Sequence, residues 1–410
     1  MRAELFLAGL SMVLLLAGCT LSGALPARAR KTDLAAFEDE LDVLRQEHRI
    51  PGMSVAVVRE QRAVLARGFG YVDLENQIPA TADTPYNIAS CTKPVAAAVL
   101  MRLVEQGRLN LDAPLGDLLM DAVFPLRLHG ERVRGYGDMC TAMAELAHMD
   151  DFPLAFLFAD YRCDRARITV RHHLTHTAQG APGQAYRYNG FLYGWLSLVA
   201  EQASGTAFAD LVVETITGPL GMTDTLPNQD PGRRDPILAA RSQYYRVDPA
   251  GGYERSQWPS REFAELIQMI DSDAVKSEGQ LDAAAGMITT VRDLVKFDIA
   301  MDRNQIVSSA SREAMFTPSR SDDSGQALPY GLGWFVQEQD GVKLVWHYGY
   351  APYAYSSLIL KVPEQETTLI LLANSDGASA SFNLGAGDVL RSPFATAFLR
   401  RFADIEIPGE

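Results

Sequence analysis

The stretch Asn87-Ile88-Ala89-Ser90-Cys91-Thr92-Lys93-Pro94-Val95-Ala96 sets a hydroxyl and an amine three residues apart, where an apolar helical pattern begins. Side chains at i and i+3 share a helix face, so on a helical turn Lys93 Nζ reaches Ser90 Oγ. A serine alcohol is a poor nucleophile until a neighbouring base takes its proton. A lysine serves as that base only when burial or a nearby cation lowers its pKa. Pro94 is tolerated only near the first turn of a helix, which anchors the pair at the helix start. The spacing predicts a helix over Thr92–Gln106, with Gly107 where a C-capping glycine belongs. By themselves the four residues also suit a plain serine N-cap followed by a solvated lysine. Ser-x-x-Lys arises by chance about once in a chain of this size.

Working outward, Phe37, Leu41 and Leu44 have helical spacing over residues 37–48, and Pro51-Gly52 ends that helix. Strands are predicted at Met53–Arg59 and Ala63–Tyr71, joined by a polar turn. The middle, to about residue 285, reads as mainly helical, most clearly at Ile168–His176 and Tyr193–Ala203. Four strands follow, at Gly333–Gln337, Val342–Trp346, Tyr353–Val362 and Thr367–Ala373, with a hairpin turn at Asp340-Gly341. A last helical region, Phe382–Phe402, is interrupted at Pro393. Strands near both ends with helices between them predict an α+β fold. One antiparallel sheet is assembled from the two chain ends with flanking helices, and a mainly helical domain is inserted.

Three further motifs occur in order. The first is Ile168-Thr169-Val170-Arg171-His172-His173-Leu174-Thr175-His176-Thr177, the second Pro182-Gly183-Gln184-Ala185-Tyr186-Arg187-Tyr188-Asn189-Gly190, the third Trp346-His347-Tyr348-Gly349. With Ser90 and Lys93 upstream, the chain resembles the serine beta-lactamase-like family of class C beta-lactamases, D-alanyl-D-alanine carboxypeptidases, D-amino-acid peptidases and related esterases. Gly218–Thr225, Ala284–Thr290 and Tyr330-Gly331-Leu332-Gly333-Trp334 also fit, so the resemblance runs from about residue 37 to 375. It implies that Ser90 is the acylated nucleophile and that Lys93 exchanges its proton. It makes Tyr188 a partner base, with a phenol pKa lowered by Lys93. The oxyanion donors would be backbone N–H groups at Ser90 and at Tyr350, just after Gly349.

The departures from that pattern bear on substrate. The asparagine that ends the family's Tyr-x-Asn is Gly190 here, with Asn189 beside it as a partial substitute. Class C beta-lactamases carry Lys-Thr-Gly where this chain has His347-Tyr348-Gly349. A histidine is mostly neutral near pH 7 and offers one hydrogen bond, a weaker pull on a carboxylate. These changes favour esterase-like or peptidase-like chemistry over beta-lactam hydrolysis. The segment between His176 and Pro182 is short, whereas residues 120–165 form an enlarged insertion. We expect that insertion to cover the cleft and shape substrate choice.

The chain has 410 residues, 47% hydrophobic and 21% charged, enough for a large core. Its net charge of -14 argues against nucleic-acid binding. Arg2, the apolar run Leu5–Leu16 and Leu16-Ala17-Gly18-Cys19 resemble a bacterial lipoprotein signal. On that reading residues 1–18 are a signal peptide, Cys19 is lipidated and 19–36 form a tether. Residues 37–410 make one hydrolase unit, with 37–90 and 285–410 as its α/β part and 91–284 as its helical part. The mature protein would be an exported, membrane-anchored monomer facing the periplasm or cell exterior. Cys91 reads as a small buried hydrophobe, and Cys140 and Cys163 are expected to pair in an oxidising compartment. His172 and His176 lack the glutamate of a His-Glu-x-x-His zinc motif, and no metal or cofactor is called for. The function so read is hydrolysis of an ester, D-amino-acid peptide or beta-lactam-type substrate through an acyl-serine. The altered positions 190 and 347 leave a second reading, a non-catalytic ligand-binding or envelope-scaffold lipoprotein of the same fold.

Overall fold

The computed structural model describes residues 27–128, 130–148, 155–164, 167–227, 231–248, 251–259, 264–265, 281–321, 323–403 and 405. The signal segment 1–18 and Cys19 lie outside the described residues. The first helix, α1, covers Ala27–Glu47, so it takes in ten residues that the sequence reading gave to a tether.

A seven-stranded antiparallel sheet forms the centre. Its strands are β1 (Gly52–Arg59), β2 (Arg62–Asp73), β3 (Ile78–Pro79), β4 (Phe335–Gln339), β5 (Val342–Ala351), β6 (Tyr355–Val362) and β7 (Thr367–Ala373). They lie in the order β4-β5-β6-β7-β1-β2-β3. The two chain ends meet where β1 pairs with β7, from Met53 opposite Ala373 to Arg59 opposite Thr367. The turn between β4 and β5 has Asp340 at φ 51 and Gly341 at φ 77, the two positive values of a tight hairpin.

Alternation along the strands sorts the core into two layers, because successive side chains leave opposite faces. Val55, Val57, Leu358, Leu360, Leu369 and Leu371 pack with Phe37 and Leu41 of α1 and with Phe394, Phe398 and Phe402. Those phenylalanines belong to the C-terminal helix, Pro393–Phe402. Proline stands at its start, where the missing N–H costs nothing, so Pro393 begins that helix and does not interrupt one. Ala56, Val58, Ile359, Ile370 and Leu372 face the other way, into the helical part.

That second layer holds α2 (Thr92–Glu105), whose apolar run Val95–Leu100 is fully buried. Gly107 follows it at φ 69, the left-handed cap its position predicts. The insertion is less helical than expected. It contains a hairpin, Val123–Leu128 with Glu131–Arg134, and then α3 (Gly135–Ala147). Cys140 on α3 is joined to Cys163 in a disulfide. The helix expected over Ile168–His176 is only α4 (Val170–Leu174). Further on, α5 (Gly190–Gly194) and α6 (Leu196–Ser204) replace one continuous helix.

Candidate active site

Ser90 does not sit on α2 itself. It lies in a 3-10 turn, Ala89–Cys91, that leads into α2, and it is half-buried. Ala89 is held at φ 45, a left-handed backbone that a residue with a Cβ seldom adopts. Local bonds hold it there. Ala89 N–H donates to Asn87 Oδ1 at 3.0 Å, and Thr92 Oγ1 donates to Ala89 O at 2.7 Å. Ser357 Oγ on β6 donates to Ile88 O at 2.7 Å, fastening the turn to the sheet. Strain concentrated beside a hydroxyl is common at sites that do chemistry.

Lys93, in the first turn of α2, is wholly buried. Its Nζ lies 2.9 Å from Ser90 Oγ and donates to Ala284 O at 3.0 Å. Asp282 Oδ1 holds that carbonyl's turn by accepting from Ala284 N and Ala285 N at 2.8 and 2.9 Å. Nζ also stands 5.0 Å from the ring centre of Tyr188 and 5.2 Å from that of Tyr193. The structure thus gathers Ser90, Lys93 and Tyr188. The Ala284 carbonyl is part of Lys93's setting and was not assigned a role from sequence, because a backbone acceptor leaves no residue-type signal.

Tyr188 corrects one expectation. Burial pushes its phenol well above the usual range, and the adjacent Ser90 hydroxyl only partly opposes this. The hydroxyl has no hydrogen-bond partner among the described residues. Burial thus favours the protonated phenol, opposite to the lowered pKa expected from its nearness to Lys93.

Asn189 does not stand in for the missing amide. Its Nδ2 donates to Leu157 O at 2.7 Å and to Gln179 Oε1 at 3.0 Å, and its Oδ1 caps α5 by accepting from Leu192 N at 3.0 Å. These bonds turn it toward the insertion, away from Lys93. A Cβ added at Gly190 would meet only Lys93 Nζ, at 3.8 Å. Position 190 therefore abuts the lysine, where a Cβ would fit in ordinary contact. The insertion braces the segment carrying Tyr188: Asp160 pairs with Arg187, and the rings of Phe158 and Phe191 meet at 4.8 Å.

His347 corrects another. It is fully buried. Nδ1 lies 2.8 Å from Tyr348 O, and a carbonyl only accepts, so Nδ1 carries the proton. Nε2 must then accept from Tyr330 OH, 2.9 Å away. Both nitrogens are spent inside the protein, and burial holds the ring neutral. In this arrangement neither ring nitrogen is left to bind a substrate carboxylate. Gly349 has a steric reason: a Cβ there would come within 2.2 Å of Ile88 O and of Ser357 Oγ. Only glycine lets β5 lie against the nucleophile turn. Tyr350 follows it with an exposed side chain at the strand's edge. Cys91 is buried beside Ser90 with its thiol pushed up to about 12, so it is inert.

Buried imidazoles also give the fold an acid limit. Burial lowers His173 from the usual 6.5 to about 4, and lowers His176 and His347 well below 6.5. Between those values the unfolded chain binds protons that the folded chain refuses, so stability is full above pH 6.5 and falls toward pH 4. His173 alone accounts for roughly 3 kcal/mol. Denaturant midpoints at pH 7 and pH 4.5 should differ less in His173→Gln than in the wild type; equal differences would refute a neutral buried His173.

Residues 36–390 match the family model described as Beta-lactamase. The chain is 24% identical over 352 residues to penicillin-binding protein 4* of Bacillus subtilis (strain 168), covering 82% of this chain and 70% of that one. It is 25% identical over 339 residues to protein flp of Staphylococcus aureus (strain MW2), covering 80% of this chain but only 60% of flp. In fold it is similar to the octameric penicillin-binding protein homologue from Pyrococcus abyssi, with TM-score 0.63 at 24% identity over 90% of this chain and 77% of that chain. It is also similar to D-amino acid amidase from Ochrobactrum anthropi SV3, with TM-score 0.59 at 20% identity over 90% of this chain and 99% of that one. A family model matched along most of the chain, on a sheet closed by both chain ends, makes this protein a member of the beta-lactamase family.

Proposed function

We propose that the protein is a serine hydrolase that forms an acyl-Ser90 intermediate with esters or D-amino-acid amides lacking a carboxylate beside the scissile bond. The family and its neighbours support a serine hydrolase in general terms. The observation that carries the finer reading is His347, whose two nitrogens are consumed by Tyr330 and Tyr348. The position where class C enzymes carry a lysine offers no charge to a substrate carboxylate.

In this reading Ser90 Oγ attacks the acyl carbon while Lys93 Nζ takes its proton. The carbonyl oxygen gains charge beside the backbone N–H groups of Ser90 and Tyr350. The Tyr188 phenol donates its proton to the departing alcohol or amine and is reprotonated by Lys93. Water then attacks the acyl-enzyme and releases the acid. Gly190 widens the acyl site next to Lys93. We further propose that the protein acts in the bacterial envelope, exported by residues 1–18 and anchored through lipid on Cys19.

Intact mass after incubation with a fluorophosphonate, a short-chain p-nitrophenyl ester, a D-amino-acid amide, a D-Ala-D-Ala peptide and nitrocefin tests the reading. The fluorophosphonate and ester should add to the wild type and not to Ser90→Ala. Nitrocefin or the peptide acylating faster than the ester would refute the substrate class. Absence of every adduct would favour a non-catalytic binding role.

A further inference from the structure

His176 lies behind Tyr188 and has no part in the steps above. Its backbone is at φ 54. It grips Tyr188 through both flanking residues. Arg187 N–H donates to His176 O at 2.8 Å, and Asn189 N–H donates to His176 Nδ1 at 3.2 Å. The imidazole also lies against the Tyr188 ring, with centroids 4.3 Å apart. Tyr330, which bonds His347, closes edge-on over the same imidazole at 4.8 Å.

Because Nδ1 accepts from a backbone N–H, the ring must be the Nε2–H tautomer. That Nε2 is buried and has no hydrogen-bond partner among the described residues. A buried donor left unsatisfied is a cost, so satisfied hydrogen bonds alone do not account for a histidine here. Holding the next strand of chain does account for it.

We propose that His176 is the positioning residue of Tyr188, fixing the phenol over Lys93 by bracketing residues 187 and 189 and backing the ring. The inference rests on the acyl-serine reading for its kinetic consequence, though not for its geometry. Asparagine at 176 places an amide oxygen where Nδ1 accepts, and it tolerates a left-handed backbone. Glutamine places its polar group nearer the Nε2 position and loses the acceptor. Glycine relieves the backbone and removes the acceptor, which separates strain from hydrogen bonding.

The test uses His176→Asn, His176→Gln and His176→Gly in the full chain, with 3-fluorotyrosine at position 188 as a fluorine NMR reporter. His176→Asn should keep a single resonance near the wild-type shift, and kcat on a short alkyl ester within about fivefold. The glutamine and glycine variants should shift or split the resonance. They should lose about a hundredfold in kcat, as a reacting group displaced by about an ångström does, with KM changed less than threefold. If Asn, Gln and Gly behave alike, or all match the wild type, the inference is overturned. Should His176→Gly not fold, Asn against Gln decides. If the wild type hydrolyses no ester, the acyl-serine reading fails, while the fluorine spectra still decide what positions Tyr188.

Discussion

Lys93→Met slows acylation of Ser90 by about a thousandfold, the scale expected when a general base is removed. Methionine fills most of the same buried volume. It leaves Ala284 O without the donor it now has at 3.0 Å and Ser90 Oγ without the nitrogen at 2.9 Å. Stability should change by only about 1–3 kcal/mol, since one carbonyl loses a partner while a buried amine is also removed. Leaving-group dependence separates lysine from tyrosine. A p-nitrophenolate departs without a proton, whereas an alkoxide or amine needs one. With the Tyr188 phenol protonating the leaving group as proposed, Tyr188→Phe should therefore slow alkyl esters and amides about a hundredfold and p-nitrophenyl esters by less than tenfold. Lys93→Met should slow both classes alike. Single-turnover acylation rates measure this. A Lys93 variant within tenfold of wild type would show that some other group takes the serine proton.

How far the sequence reached follows from what each residue must satisfy. Strands with one period and one hydrophobic demand were legible: Met53–Arg59 is within one residue of β1, and Thr367–Ala373 is β7. The reading stopped β5 at Trp346, yet the strand continues to Ala351. Gly349, within that extension, marks a close approach of another backbone. Gly333, at φ 82, likewise delays β4 to Phe335. The α4 helix stops at Leu174 because His176 takes a left-handed backbone to reach Arg187 and Asn189. Nothing local announces that. The hairpin Val123–Leu128 with Glu131–Arg134 was hidden because its register is irregular between Val123 and Arg127.

At the site, spacing offered Ser90 and Lys93 as a pair, while the family resemblance implied their roles and added Tyr188. Sequence misjudged the surroundings of Tyr188, His347 and Asn189. Proximity to Lys93 suggested an acidic Tyr188, but desolvation outweighs it, as it does for most fully buried phenols. The imidazole of His347 looked available until Tyr330, seventeen residues upstream, occupied its second nitrogen. Asn189 adjoins Tyr188 in sequence but caps the next helix, the ordinary work of an asparagine at an N-cap. Ser357, which fastens the nucleophile turn, gave no signal, because a serine within a strand is not distinctive.

That fastening supports the second large effect. Gly349→Ala should lower acylation of Ser90 at least a hundredfold. The new methyl would meet Ile88 O and Ser357 Oγ at 2.2 Å and Ala89 Cβ at 3.1 Å. The serine hydroxyl can rotate away, but Ile88 O then loses the donor that ties the turn to β6. The carbonyl itself can retreat only if the whole Ala89–Cys91 turn moves, and Ser90 moves with it. Ala89 is already at φ 45, so the turn has little slack. A shift near one ångström is enough for a loss of about a hundredfold in rate, and overpacking costs about 1–3 kcal/mol of stability. Two further variants apportion the damage. Ser357→Ala removes the tie without a clash and should cost about tenfold or less in rate. Adding it to Gly349→Ala removes one clash but not the one with Ile88 O, so the double variant should stay as slow as Gly349→Ala. If the double variant recovers to the rate of Ser357→Ala, the side chain and not the backbone set the approach. The strand would then not be what holds Ser90 in place.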